Sequence, residues 1–492
     1  MPGSNDKKPM ASTGRGQPPF RPTVRNDKGA ISHEGSASDA PPLSALISRR
    51  SVLLSGLATA VATGLPGLAP SRQALAQAPI QAPVSNTANY RQDILIRWGD
   101  PLWSDSGDVA LTSLSTAEAA KRFGYNNFIT YLPLPLGSFS SDHGLLVVNH
   151  EYPLPHLMFN DLHRDTVPAS MSLAQISATM EAVGMSVVEV KQEAGRWTVI
   201  QDSTFNRRVT ATTPIQISGP AAEHQKLQTT ADPTGRQVLG THDNCNGGVT
   251  PWGTVLSGEE GSQDFFGGDI SAAPDRALLA RYHYDDILPT GRFGWPRCDT
   301  RFHIPHEPNE ANRFEWVVEL DPYNPDAPPV KRTALGRFSH EGAHTTVAPS
   351  GQVVVYMGDD WEFEYCYRFV TAGRFNPDDR AANRDLLDEG VLSVACFNGD
   401  GTLQWRPLVF GHGPLTPENG FTDQGDVLIQ TRRAADFLGA TPMDSPEGYM
   451  PDPATGKVYI ALSGNESRTA ADINAANPRG DNQSGHMLEL MP

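Results

Sequence analysis

The chain has 492 residues, with 56 acidic against 39 basic side chains and a formal net charge of −17. That balance excludes a large nucleic-acid-binding face, which needs a surplus of Lys and Arg to displace counterions from phosphates. At 38% hydrophobic and 19% charged the chain can bury a sizeable core, and no apolar run approaches the roughly 20 residues of a stable membrane span.

Residues 1–76 carry nine basic side chains against four acidic, a net of +5 that leaves −22 on the remainder. Residues 1–42 are rich in Pro, Gly, Ser and charge without apolar periodicity, a composition expected to be disordered. Over 43–76, Ser48-Arg49-Arg50-Ser51 precedes a mildly apolar stretch loosened by Gly56, Gly64 and Gly67, and Ala74-Leu75-Ala76 follows as a small-x-small cleavage pattern. This order predicts a twin-arginine signal, with the export machinery as a partner and a periplasmic or extracellular destination. That route generally carries folded proteins, so a metal would be loaded before export. Cys245, Cys298, Cys366 and Cys396 contain no Cys-x-x-Cys spacing, and two disulfides or four free thiols are both open.

From residue 77 onward the expected unit is a single domain, 77–492, of short β-branched and aromatic runs bounded by Gly, Pro, Asn and Asp. In chain order these are Gly144–Val148, Met185–Val190, Arg196–Ile200, Phe314–Leu320, Gln352–Tyr356, Tyr365–Val370, Asp426–Gln430 and Lys457–Leu462. Helices are expected over Ser113–Phe123 and Met171–Gly184. A loose recurrence links Ala348–Tyr356 with Asp452–Ile460: a small loop, a turn glycine, an apolar strand, each preceded by a glutamate segment at Glu341 and Glu447. Radially repeated β-meanders produce such a pattern, so the fold class is all-β, a β-propeller with helical insertions, with a β-sandwich as the alternative.

Four acidic clusters stand at strand ends or turns: Asn149-His150-Glu151, Gly258-Glu259-Glu260, Ser339-His340-Glu341 continuing to Asp359-Asp360, and Asp444-Ser445-Pro446-Glu447. Carboxylates from separate loops that meet at a propeller axis suit hard cations, which take several oxygen ligands. No nucleophile elbow, Walker loop, dinucleotide fingerprint or His-Glu-x-x-His motif occurs. His340 and His344 flank Glu341 at helical spacing, but Gly342 and Thr345-Thr346-Val347 favour a strand over a zinc-binding helix.

Gly247–Glu260, Asn312–Tyr323, Leu335–Ala343, Val355–Asp360 and Thr441–Glu447 closely resemble the PhoX-type alkaline phosphatase family, as does the twin-arginine leader. The resemblance implies a six-bladed propeller that holds calcium and iron at its axis and hydrolyses small phosphorylated substrates, phosphomonoesters, at alkaline pH. It implies Glu259, Glu341 and Glu447 as iron ligands, with Glu151, Glu260, Asp359, Asp360 and Asp444 as calcium ligands or their supports. Three departures accompany it. Gly258 stands where members carry Cys, which implies oxygen-only ligation and favours calcium or magnesium over iron. Ser445 stands where members carry an arginine, leaving Arg337 as the substitute phosphate clamp and catalytic candidate. The chain stops at Pro492 where members continue, implying an incomplete last blade. The alternatives are a catalytically weak calcium-binding propeller and a lactonase or phosphotriesterase-type hydrolase.

Overall fold

The computed structural model describes residues 93–107 and 114–491. The expected leader, including Arg49 and Arg50, lies outside them.

Among the described residues the unit 93–492 is mainly β, built as four sheets. The first contains β1 (Asn127–Pro133), β2 (His143–His150), β3 (Gly184–Glu193) and β4 (Arg196–Val199) as an antiparallel meander, with β5 (Arg207–Val209) also paired to β3. The second contains β6 (Pro214–Ser218), β7 (Gln237–Leu239), β8 (Asn244–Val249), β9 (Val255–Glu259), β10 (Val317–Leu320) and β11 (Val330–Arg332), in the order β7-β6-β11-β10-β9-β8. Its β6–β11 pair is parallel and its other pairs are antiparallel. The third is the meander β12 (His344–Val347), β13 (Gln352–Gly358), β14 (Cys366–Arg374), β15 (Gly390–Phe397) and β16 (Leu403–Pro407). The fourth is β17 (Pro446–Pro451), β18 (Val458–Leu462) and β19 (His486–Leu490).

The recurrence in the sequence corresponds to two hairpins, β12–β13 and β17–β18, each opening its second strand after a positive-φ glycine, Gly351 or Gly456. Successive sheets touch in sequence order: β2 lies against β8, β8 against β12, and β12 and β13 against β17. Glycines make these approaches close. A Cβ on Gly258 would stand 2.2 Å from the His340 carbonyl oxygen, and one on Gly358 would stand 2.0 Å from that of Pro446. Real Cβ atoms do not approach an oxygen so closely, so these two positions admit no side chain.

The expected helix at Met171–Gly184 is α1 (Leu173–Ala182). It starts with a capping box in which the Ser172 hydroxyl accepts from the Gln175 N–H and Gln175 reaches back to the Ser172 N–H. Three expectations require correction. Within the described part of Ser113–Phe123 only one turn, Thr116–Ala119, is helical. Asp426–Gln430 is not a strand but lies in α2 (Gln424–Ile429), followed by α3 (Thr431–Leu438). The cause is local: the Asp423 carboxylate accepts from the Asp426 N–H at 2.8 Å, an N-cap that turns the apolar Val-Leu-Ile run into the buried side of a helix. Phe314–Leu320 is strand only from Val317, because Glu315 has a φ of 68°. All four cysteines are free thiols.

Candidate metal centre

Strand ends from all four sheets deliver acidic side chains to one region. Glu151 directly follows β2, Glu260 follows β9, Glu341 precedes β12, Asp360 follows β13, and Glu447 lies on β17. Among the described residues, ligand-type atoms of Glu151, Cys245 and Glu260 lie within 4.8 Å of one another, as do those of Glu260, Glu341 and Asp360. Glu260 is common to both groups. The Cys245 thiol donates to a Glu341 carboxylate oxygen at 3.1 Å, which ties the groups together. Asp243 and Glu447 adjoin them: the charge of Asp243 acts on Glu151 and Glu260, and that of Glu447 on Glu341 and Asp360.

Backbone and amide contacts fix this geometry. The Glu151 carbonyl accepts from the Asp243 N–H at 3.1 Å, and the Asp243 carbonyl accepts from the Glu260 N–H at 3.0 Å. The Asn126 amide donates to Glu151 at 3.1 Å. Beneath them Ser257 donates to Asn149 at 3.0 Å and accepts from Asn244 at 2.9 Å, joining the end of β2 to β8 and β9. Across the next junction the Asp360 N–H donates to the Ser339 carbonyl at 3.0 Å, holding Asp360 beside Glu341.

Electrostatically, negative charge dominates the cluster. Burial, first, and mutual repulsion, second, push the carboxyls of Glu151, Glu260, Glu341 and Asp360 well above their ordinary range. Burial also raises Glu447. The Cys245 thiol is raised by burial and then by Glu341, Glu151 and Glu260. A cation opposing this is Arg292, whose charge lowers Glu151. Converging, partly desolvated carboxylates that repel one another fit multivalent cations, because bound positive charge offsets both the desolvation cost and the repulsion. The donor set, carboxylate oxygens with one sulfur, fits both hard cations and a metal that accepts thiolate.

The sequence-derived candidates divide between two roles. Glu260, Glu341, Asp360 and Glu151 are brought together, with Glu447 beside them. Glu259 is not in the cluster. Successive residues at a strand end point to opposite faces, so its fully buried carboxylate accepts from the Lys331 ammonium at 2.6 Å and from the Trp316 N–H at 3.1 Å. Asp359 parts from Asp360 in the same way and takes a two-point contact from Arg432, at 2.8 and 2.6 Å. Asp444 is bound by Arg468 and by the Asn482 amide at 2.9 Å. Arg337 is no free clamp: it is fully buried, donates to Glu315 at 2.7 Å and to the Phe314 and Ala311 carbonyls, and stacks on Tyr282.

The expected absence of a thiol also needs correction. Position 258 has no room for one, and Cys245 on β8 brings sulfur to the cluster instead. Its signal stood in the sequence as Asp243-Asn244-Cys245-Asn246, where a thiol and a carboxylate share the entry to one strand.

The profile of the family described as alkaline phosphatase PhoX matches residues 75–492. The chain belongs to the PhoX alkaline phosphatase family. Among solved structures it resembles Pseudomonas fluorescens PhoX in complex with vanadate, a transition state analogue, at 36% sequence identity and a TM-score of 0.74. The likeness covers 81% of this chain and 69% of that one. No curated protein matches. Membership in the PhoX family makes the chain an enzyme of the alkaline phosphatase type, and among its described residues no helix is long and apolar enough to cross a membrane.

Proposed function

We propose that this protein is an exported, metal-dependent phosphatase that hydrolyses phosphomonoesters at the Glu151, Cys245, Glu260, Glu341, Asp360 and Glu447 cluster. The observation that carries this reading is the convergence of strand ends from three sheets on two groups of ligand-type atoms that share Glu260, with Glu447 of the fourth sheet beside them. On the same reading the four sheets are blades of the six-bladed propeller that the family resemblance implies, since successive sheets touch in order and their acidic ends share one centre. The vanadate complex of the Pseudomonas relative supports phosphoryl-transfer chemistry, vanadate being an oxyanion of phosphate shape.

Glu260, shared by both groups, would hold metal together with Glu151 and Cys245 and with Glu341 and Asp360. Calcium suits the carboxylates, and iron becomes compatible with the site through Cys245. Bound cations would supply charge to phosphate oxygens and lower the pKa of a water nucleophile. The carboxylates themselves place charge rather than transfer protons. Glu259–Lys331, Asp359–Arg432 and Asp444–Arg468 hold the strand ends rigid from behind, so the ligand atoms keep their positions.

Hydrolysis of an aryl phosphate near pH 9 by purified protein tests the proposal. Turnover should disappear on chelation, return when calcium with iron is restored, and be lost in Glu341→Ala. Turnover that survives complete metal removal, or equals that of Glu341→Ala, would exclude it.

A further inference from the structure

A phosphomonoester carries up to two negative charges and must approach a cluster that is itself acidic, so side-chain cations at the entrance matter for its capture. Most cations near these strand ends are committed. Lys331 is bound to Glu259, Arg432 to Asp359, Arg468 to Asp444 and Arg337 to Glu315, and each of these side chains is at most 1% exposed. Arg292 differs in exposure. It sits on the long segment between β9 and β10, and its side chain is 29% exposed.

Its placement brackets the cluster. Its backbone N–H donates to the Asp264 carbonyl at 2.8 Å and its Nη1 to the Asp264 carboxylate at 3.0 Å, on the short turn that leaves Glu260. Its guanidinium carbon lies 5.8 Å from the ring centre of Tyr152, the residue after Glu151. The guanidinium therefore stands between the two chain segments that exit the cluster at Glu151 and Glu260, anchored by Asp264 and reachable from solvent. A guanidinium has five donors in a planar fork, enough for an anchor and for phosphate oxygens together.

We propose that Arg292 is the phosphate-binding arginine of this site, oriented by Asp264 to grip the substrate's non-bridging oxygens. This rests on the phosphatase reading above and names how that site recognises its substrate class. Arg292 contributes capture of the dianion, so its loss acts mainly on KM and on inhibition by inorganic phosphate.

The test compares wild type, Arg292→Lys, Arg292→Ala and Asp264→Asn in steady-state hydrolysis of an aryl phosphate, with inorganic phosphate as competitive inhibitor and metal content measured on each preparation. Arg292→Ala should raise KM and the phosphate inhibition constant at least tenfold with metal content unchanged. Arg292→Lys should recover part of the affinity by charge alone, and Asp264→Asn should weaken phosphate inhibition less than Arg292→Ala does. Wild-type activity with unchanged KM and phosphate inhibition in both arginine variants overturns the assignment while leaving the phosphatase reading intact. A rise confined to preparations that have lost metal assigns Arg292 a structural role and likewise overturns it. Wild type without metal-dependent turnover removes the phosphatase reading and this assignment with it. If Arg292→Ala does not fold, Arg292→Lys decides, since the lysine retains the charge but not the fork.

Discussion

Glu259 and Glu260 are adjacent in the chain and do opposite things. Glu259 neutralises Lys331 inside the second sheet, while Glu260 is shared by both halves of the candidate metal centre. Glu259→Gln leaves a buried ammonium without its counter-ion and should cost about 3–5 kcal/mol in denaturant unfolding. Glu260→Gln should instead lower turnover at least 100-fold and remove bound metal. In chelated protein it should leave the melting temperature equal or higher, because one repelling carboxylate is gone. A Cys245→Ser variant should retain calcium but lose iron in elemental analysis, since the hydroxyl oxygen replaces the soft donor. These doublets also show which part of the site was legible in the sequence. Glu259-Glu260 and Asp359-Asp360 mark strand ends rich in carboxylate, but which member faces the centre depends on the strand's phase, and that is set by pairing, of β9 with β10 and of β13 with β14, and by cations about 70 residues away, Lys331 and Arg432.

Sheets and helices raise a different question, that of how strand ends are held near one another. Gly258 and Gly358 are contact points where one sheet meets the next, so Gly258→Ala should force the His340 carbonyl aside and destabilise the fold by roughly 2–3 kcal/mol. It should also reduce activity, because His340 precedes Glu341. At α2, Asp423→Ala should cost about 1 kcal/mol through loss of the N-cap, read as a lower denaturation midpoint with activity at saturating substrate unchanged. Most strands were readable because β-branched runs between turn residues carry a local signal, as at Gln352–Tyr356 and Lys457–Leu462. Asp426–Gln430 was misread because an apolar run of this length suits either state, and the deciding signal, Asp423 three residues before Asp426, lay just upstream. The sulfur donor was misplaced for a related reason: Gly258 and Cys245 meet the centre from different strands, β9 and β8, and nearness in sequence does not report that.

Across the protein as a whole, part of the negative charge is gathered where it is most costly. Carboxyls raised above their unfolded values, near 4.5 for glutamate, bind protons in the folded state that the unfolded chain has released. Their stability contribution is therefore present below about pH 4.5 and is lost as pH rises through the folded values. Chelated protein should accordingly melt at lower temperature at pH 9 than at pH 6, whereas the metal-loaded enzyme should keep its melting temperature across that interval. On the proposed function, ligands gathered from the ends of four sheets form one metal centre on which hydrolysis depends. Elemental analysis paired with aryl phosphate turnover, on the same preparations of wild type, Glu260→Gln and Glu259→Gln, decides this. Metal and turnover should fall together in Glu260→Gln and be retained per folded molecule in Glu259→Gln. Full metal content and turnover in Glu260→Gln, or their loss in folded Glu259→Gln alone, would refute a metal centre built on Glu260.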